Sequence, residues 1–217
     1  MLAPAVRVLL AGVVASACMP TGAAAHPHIW VEARETLRFD PQGRIEAVLA
    51  HWEFDDLYSA FSLDGLDLNG DGAYTAEELE PLRSQVHSSL RSFGYFTTLT
   101  ANDRPLAYAE ATELTLSADG GIMRLDAVLP LTRPVDPRAA KIALQVSDPS
   151  YYIAFDIAAV DPVRLAGVVP EGCSGVVDRP RDADEPAPTL SDDMATDADL
   201  ARSYAADDAS TIRVICS

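Results

Sequence analysis

Chemically reactive side chains are scarce in this 217-residue sequence, which has three cysteines and four histidines. It contains no zinc-protease pattern (HExxH), no serine-hydrolase pattern (GxSxG) and no phosphate-binding loop, so we expect no enzymatic activity. Basic residues are also few, because 16 Lys and Arg accompany 33 Asp and Glu, and the formal net charge is −17. Nucleic acids and anionic membrane surfaces attract basic proteins, so we expect this chain to bind neither.

Long apolar runs are missing after the first 25 residues. No later segment approaches the roughly 18 apolar residues of a membrane-spanning helix, so we expect no membrane insertion of the mature chain. Residues 1–25 have the parts of a secretory signal peptide: one arginine, an apolar core too short to span a bilayer, and three final alanines. We predict cleavage after Ala25 and a soluble periplasmic protein that begins at His26. Lipid attachment at Cys18 is an alternative, although the large aliphatic residue expected three positions earlier is missing.

Signal removal leaves two cysteines, Cys173 and Cys216. Two cysteines in an exported chain commonly form one disulfide, which we predict here. The alternative is a pair of thiolate metal ligands. Such ligands are often spaced as CxxC, and that spacing is not present.

Alternating apolar and polar residues predict strands over most of the chain. Residues 29–39 alternate, a turn with proline and glycine follows at 40–43, and residues 44–54 continue as the second strand of a hairpin. Evenly spaced short strands are typical of an antiparallel β-sandwich, so we predict a mainly β (α+β) fold of that architecture. The further predicted strands are 95–101, 112–118, 121–129, 141–147, 151–157 and 211–216.

Residues 54–93 interrupt the strands with apolar residues at helical spacing. Two such stripes flank a central loop, which predicts an EF-hand-like helix-loop-helix inserted into the sandwich. We assign the sandwich domain to residues 26–177 plus 209–217. Residues 178–208 contain ten acids, three arginines and three prolines and have almost nothing to bury, so we predict a mobile acidic loop there.

The loop between the helical stripes, DLNGDGAYTAEE at residues 67–78, matches the calcium-loop pattern D-x-[DN]-x-[DN]-G-x5-E. Calcium takes six to eight oxygen ligands, which alternate positions of such a loop supply. Thr75 and Glu78 also form a capping-box pattern for the second helix. A lone loop in an exported protein should hold a structural ion weakly, with a Kd on the order of 10⁻⁴ to 10⁻³ M. The alternative is a turn without calcium. The predicted Ca²⁺ ligands are Asp67, Asn69, Asp71, Ala73, Thr75 and Glu78.

Two of the four histidines, His26 and His28, would stand at the start of the mature chain. A terminal His26 has both an α-amine and a ring nitrogen with which to chelate a transition metal. Pro27 lacks an N–H, so the backbone amide is excluded as a further ligand. This arrangement predicts a metal site at the N-terminus.

The predicted hairpin adds side chains to this site. We predict that Phe39 faces Arg44 across the turn, a register that places His51 opposite Glu32 and brings Glu53 onto the same face. Imidazole and carboxylate together suit Zn²⁺, Ni²⁺, Co²⁺ or Cu²⁺. The alternative is a solvated polar face without a metal. The predicted transition-metal ligands are His26, His28, Glu32, His51 and Glu53.

Five motifs together carry a family resemblance: HPHIW at 26–30, WEFDD at 52–56, the loop at 67–78, DPSYYIAF at 148–155 and GC at 172–173. Over residues 26–177 the chain resembles the domain-of-unknown-function family 1007. Members of that family are labelled as periplasmic components of an uncharacterised ABC-type transport system and are often encoded with, or fused to, nickel/cobalt-type exporters. The resemblance implies a periplasmic accessory to metal-ion transport.

These observations favour a periplasmic metal-binding accessory protein of a transition-metal (nickel, cobalt or zinc-type) transport system, with a structural calcium loop. The expected partners are metal ions and a membrane metal transporter. The alternative is a calcium-stiffened structural or interaction module with no transition-metal role. A copper oxidase that uses a histidine brace is a third candidate.

Overall fold

The computed structural model describes residues 28–150, 152–179 and 209–217. The predicted signal peptide, with Cys18, and the predicted ligand His26 lie outside these residues, as do residues 180–208 of the predicted acidic loop. The described elements are β1 (Ile29–Phe39), β2 (Ile45–Phe54), α1 (Asp56–Leu63), α2 (Ala76–Ser92), a short 3-10 helix (Gly94–Phe96), β3 (Thr97–Ala101), β4 (Arg104–Pro105), β5 (Glu113–Asp119), β6 (Ile122–Val135), β7 (Ile142–Val146), β8 (Ile153–Ile157), β9 (Val163–Gly167), β10 (Cys173–Asp178) and β11 (Thr211–Cys216).

The β1–β2 hairpin forms as the alternation predicted, and its turn has a clear local cause. The Asp40 carboxylate accepts hydrogen bonds from the backbone N–H groups of Gln42 and Arg44, both at 2.9 Å. Gly43 takes a positive φ of 74°, which glycine adopts without steric cost. The polar side chain and the glycine together close the turn between the two strands.

The predicted hairpin register was wrong by two residues. Next to the turn Phe39 faces Ile45 and not Arg44, and a bulge between Arg38 and Phe39 shifts the pairing by one further residue. Beyond it Arg34 faces His51 and Glu32 faces Glu53. A bulge inserts an unpaired residue, which alternation within a single strand does not reveal. Because the final shift is an even number of residues, each side chain keeps its predicted face of the sheet.

The first sheet is mixed, whereas the sequence predicted an antiparallel architecture. Its strand order is β5-β6-β2-β1-β8, with β9 also paired to β1, and both β8 and β9 run parallel to β1. β7 belongs to the other sheet, so the chain crosses between sheets before β8 begins. A crossover of this kind allows a parallel neighbour, which a short hairpin does not.

The second sheet has the order β10-β11-β7-β3-β4, and its neighbours are antiparallel. Cys173 faces Cys216 in the β10–β11 pair, and the two form a disulfide. The predicted disulfide is therefore confirmed.

Both sheets contribute to one hydrophobic core. The inner residues of β1, β2 and β6 meet those of β3, β7 and β11, which gives a β-rich two-sheet architecture with helices at its side. Fully buried core residues include Leu37, Ile45, Leu99, Leu125, Leu129, Leu144 and Ile212.

Helix α1 ends at Leu63, before residues 67–78, and α2 begins within them at Ala76. Asp55 caps α1 by accepting from the backbone N–H of Tyr58 at 2.8 Å. The buried hydroxyl of Ser59 in α1 accepts from the backbone N–H of Met123, which joins this helix to the start of β6. α2 buries Leu79 and Leu90. None of the described helices is long and apolar enough to cross a membrane.

Candidate metal-binding sites

Glu78, the twelfth residue of the 67–78 loop, connects the two ends of that loop. Its Oε1 accepts from the backbone N–H of Leu68 at 3.0 Å, and its Oε2 accepts from the backbone N–H and the hydroxyl of Thr75, each at 2.9 Å. The Thr75 hydroxyl in turn accepts from the Glu78 N–H, so the predicted capping box is confirmed. The hydrogen bonds from Thr75, together with those from the backbone of Leu68 and Asn69, lower the pKa of Glu78. The carboxylate thus stays ionised, as a cation ligand must be.

The first half of the loop folds around its own side-chain oxygens. Asn69 Oδ1 accepts from the backbone N–H of Asp71, and Asp71 Oδ1 accepts from that of Ala73, both at 2.8 Å. Asp67 at the first position accepts from three backbone N–H groups between 2.8 and 3.2 Å away, those of Gly70, Asp71 and Gly72. These bonds fold the backbone of the first half of the loop around its own side-chain oxygens.

The described members of the predicted transition-metal set lie just before β1 (His28), in β1 (Glu32) and in its neighbour β2 (His51 and Glu53). His28 precedes β1, its backbone N–H donates to the carbonyl of Tyr152 at 2.9 Å, and the two rings lie 5.0 Å apart. Glu32, on the outer face of β1, forms an ion pair with Arg34. His28 and Glu32 therefore have protein neighbours of their own.

His51 and Glu53 are paired across the sheet with residues of β6. His51 Nδ1 lies 2.6 Å from Asp126 Oδ1, and Glu53 Oε2 accepts from Arg124 Nε at 2.8 Å. A carboxylate on one ring nitrogen fixes the tautomer of a histidine and leaves the other ring nitrogen for a ligand. Sequence reasoning missed Asp126, because alternation does not reveal which strand lies beside β2.

Within the described ranges, no three His, Cys, Asp or Glu side chains are grouped so that they could hold a metal ion. In the 67–78 loop the carboxylates accept hydrogen bonds from backbone N–H groups. On the sheet face, Glu32 and Glu53 are bound to arginines. Metal binding at either place therefore requires these oxygens to change partners.

Three of the motifs that carry the resemblance meet at the first residues of β1. Asp55, from WEFDD, accepts from the Trp30 backbone N–H at 2.8 Å and donates its own N–H to the Trp30 carbonyl at 2.9 Å. Tyr152, from DPSYYIAF, bonds to His28, as described above. Trp52 and Phe155 pack edge to face, with ring centroids 5.0 Å apart. The motifs thus build one contiguous corner of the molecule.

A family model described as Protein of unknown function (DUF1007) matches residues 11–216 of the chain. The chain belongs to the DUF1007 family. The match extends past residues 26–177 and includes β11 and the acidic segment, which the motifs had not covered. No curated protein matches the chain.

This DUF1007 protein also buries a carboxyl group that sequence reasoning did not select. Glu35 is 1% exposed on the inner face of β1, and its Oε1 accepts from Trp52 Nε1 at 3.1 Å. Its Oε2 has no hydrogen-bond partner among the described residues, and the nearby hydroxyl of Tyr108 is also buried. Burial raises the pKa of Glu35 to about 8. The signal was present in the sequence, because Glu35 interrupts the apolar face formed by alternate residues of 29–39.

Proposed function

We propose that this chain is an exported metal-binding accessory protein of a transition-metal transport system and that residues 67–78 bind a structural Ca²⁺ ion. The observation that carries the metal-binding part is the closure of the loop by Glu78, which joins Leu68 at one end to Thr75 at the other. This carboxylate stands where a calcium loop needs its bidentate ligand. The transport context rests on the family resemblance, and no catalytic role is proposed.

The calcium part is tested by thermal unfolding of the mature protein with and without Ca²⁺. A ligand that binds only the folded state at ten times its Kd stabilises that state by about 1.4 kcal/mol, which raises the Tm by roughly 3–6 °C in a protein of this size. Glu78→Gln should abolish the increase, since the amide cannot supply two anionic oxygens. Glu77→Gln is the matched control, because Glu77 is an exposed neighbour in the same helical turn. An unchanged Tm of the parent protein in several millimolar Ca²⁺ would remove calcium from the proposal.

The transition-metal part assigns His26, His28, Glu32, His51 and Glu53 as ligands. The described members of this set lie on one polar face and at one end of the first sheet, next to the corner built by the resemblance motifs. His51 has Asp126 on Nδ1, which directs Nε2 toward a metal. Glu32 and Glu53 would exchange their arginine partners for the ion.

Metal content of the mature, untagged protein after incubation with Ni²⁺, Co²⁺, Zn²⁺ or Cu²⁺ tests this assignment. Replacing both His26 and His28 by Ala should lower the affinity at least tenfold, since each ligand bond lost weakens chelation. His87→Ala is the control, because His87 lies on the helix α2, away from the sheet face. Equal losses in both variants would show that binding is unspecific.

A structural or interaction module without a transition-metal role is the second candidate. It is favoured by Leu57 and Phe61, which lie one turn apart on α1 and are 75% and 79% exposed. Apolar side chains at this spacing form one face of a helix, a common feature of protein contacts. Transition-metal affinity that does not depend on His26 and His28 would favour this candidate.

A further inference from the structure

A groove of about 480 Å³ lies at one end of the strands of the second sheet, where β7 begins beside the end of β11. It shares no residue with the 67–78 loop or with the predicted transition-metal set. Its volume falls within the range of small-molecule sites, roughly 300–1,000 Å³. The lining residues with polar or charged side chains, apart from Cys216, are Asn102, Arg138, Lys141 and Arg213.

The charge of this groove is opposite to that of the chain. The protein has a formal net charge of −17, yet the groove lining includes three cationic residues and no Asp or Glu. One of the three, Lys141, is the only lysine in the sequence. Asp136 and Asp178 balance the charges of Arg138 and Arg213, so Lys141 supplies the remaining positive charge, which attracts anions to a protein that otherwise repels them.

The cationic side chains retain donors for a ligand. Arg138 donates to the Asp136 carboxylate through Nε and Nη2. Arg213 forms an ion pair with Asp178 through Nε at 2.7 Å. A guanidinium has five N–H donors, so each arginine is positioned and still has unused donors. Lys141 forms no ion pair with any residue that the structure describes.

The apolar residues of the lining include Ile215, which is 52% exposed and lies on the same outer face of β11 as Arg213, whereas Ile142 and Val214 belong to the core. An apolar surface gains from contact with a carbon skeleton, whereas inorganic phosphate offers none. Guanidinium groups pair with carboxylates through two parallel hydrogen bonds. We propose that this groove binds a small organic polycarboxylate, with Arg138, Lys141 and Arg213 on its carboxylates and Ile215 against its carbon chain.

Isothermal titration of the full mature protein in calcium-free, low-salt buffer tests the site, with tricarballylate, succinate and inorganic phosphate as probes. Tricarballylate should bind saturably and more tightly than phosphate. Arg213→Gln and Lys141→Gln should each weaken its binding at least tenfold, because each removes a charge-assisted contact. Arg164→Gln is the matched control, since Arg164 is also exposed and paired with an aspartate, at 2.9 Å, outside the groove.

Three results would overturn the proposal. One is the absence of saturable tricarballylate binding up to about 10 mM, a concentration at which even weak specific sites fill. Another is phosphate binding as tight as tricarballylate binding, which would remove the role of the apolar lining. The third is an equal loss in the Arg164 control, which would indicate general charge attraction. The unliganded Tm of each variant, compared with that of the parent, checks that folding is intact.

Discussion

At the scale of single residues, Glu35 is the most unusual feature, because its carboxyl group is buried in the interior between the two sheets. Among the described residues its hydrogen-bond donor is the Trp52 indole, and the hydroxyl of Tyr108 is also buried. Burial disfavours the charged form, so the pKa of Glu35 rises to about 8, while burial and the Glu35 charge also raise the pKa of Tyr108. The protein therefore folds with Glu35 protonated at neutral pH.

This raised pKa predicts a stability that declines as pH rises. Below about pH 4.5, the pKa of Glu35 in the unfolded chain, the carboxyl group is protonated in both the folded and the unfolded state. The contribution of Glu35 to the free energy of unfolding is then at its maximum. Between that value and about 8 the folded state binds more protons than the unfolded state, so the free energy of unfolding falls by at most about 1.4 kcal/mol per pH unit. Denaturant unfolding at pH 5.5, 6.5 and 7.5 measures this slope.

Glu35→Gln should flatten the slope, because glutamine stays neutral and has a similar shape. Glu32→Gln on the exposed face of the same strand is the control and should leave the slope unchanged. A slope that persists in the Glu35 variant would assign the pH dependence to other groups.

At the scale of the elements, side-chain chemistry decides where the turns and helices begin. Asp40 closes the β1–β2 turn, Asp55 starts α1, and Thr75 with Glu78 starts α2. In each case a side-chain oxygen accepts from a backbone N–H only a few residues away. Such contacts are readable from a short sequence window, which explains why the β1–β2 turn and the start of α2 were predicted within about one residue.

The disulfide joins β10 to β11 and closes a loop with a sequence separation of 43 residues. On the chain-entropy model such a bond stabilises the folded state by about 4 kcal/mol. Replacing both Cys173 and Cys216 by serine should lower the free energy of unfolding by an amount of that order, measured by guanidinium titration. A reducing agent should destabilise the parent protein to a similar extent and leave the double variant unaffected. Equal stability of the oxidised parent and the variant would contradict the prediction.

At the scale of the whole molecule, the two sheets distribute chemistry to separate places. The first sheet presents the polar face with His51 and Glu53 and ends at the corner of the resemblance motifs. The second sheet presents the cationic groove and carries the disulfide. Each region is built from strands that are distant in the sequence. The groove combines β7 with β11, and the polar face combines β1 and β2 with β6.

The sequence by itself determined the features that depend on neighbouring residues. Alternation over 29–39 gave strand β1 and the face on which each of its side chains lies, and the pattern at 67–78 gave a loop between two helices. The composition gave the acidic charge, and two remaining cysteines gave the disulfide. The strand and the loop depend on backbone preference and on residues a few positions apart. The charge and the disulfide follow from counting charged residues and cysteines.

Beyond the β1–β2 hairpin, only the tertiary structure decided which strands are neighbours. The pairing at the turn and the bulge beside Phe39 together moved His51 from Glu32 to Arg34, and the placement of β6 beside β2 gave His51 its partner Asp126. The parallel pairing of β8 with β1, which the sequence did not predict, depends on the crossover between sheets. Strand order and register are set by the packing of side chains from both sheets into one core. The packing energy depends on contacts between residues that are distant in the sequence, so a short sequence segment does not reveal it.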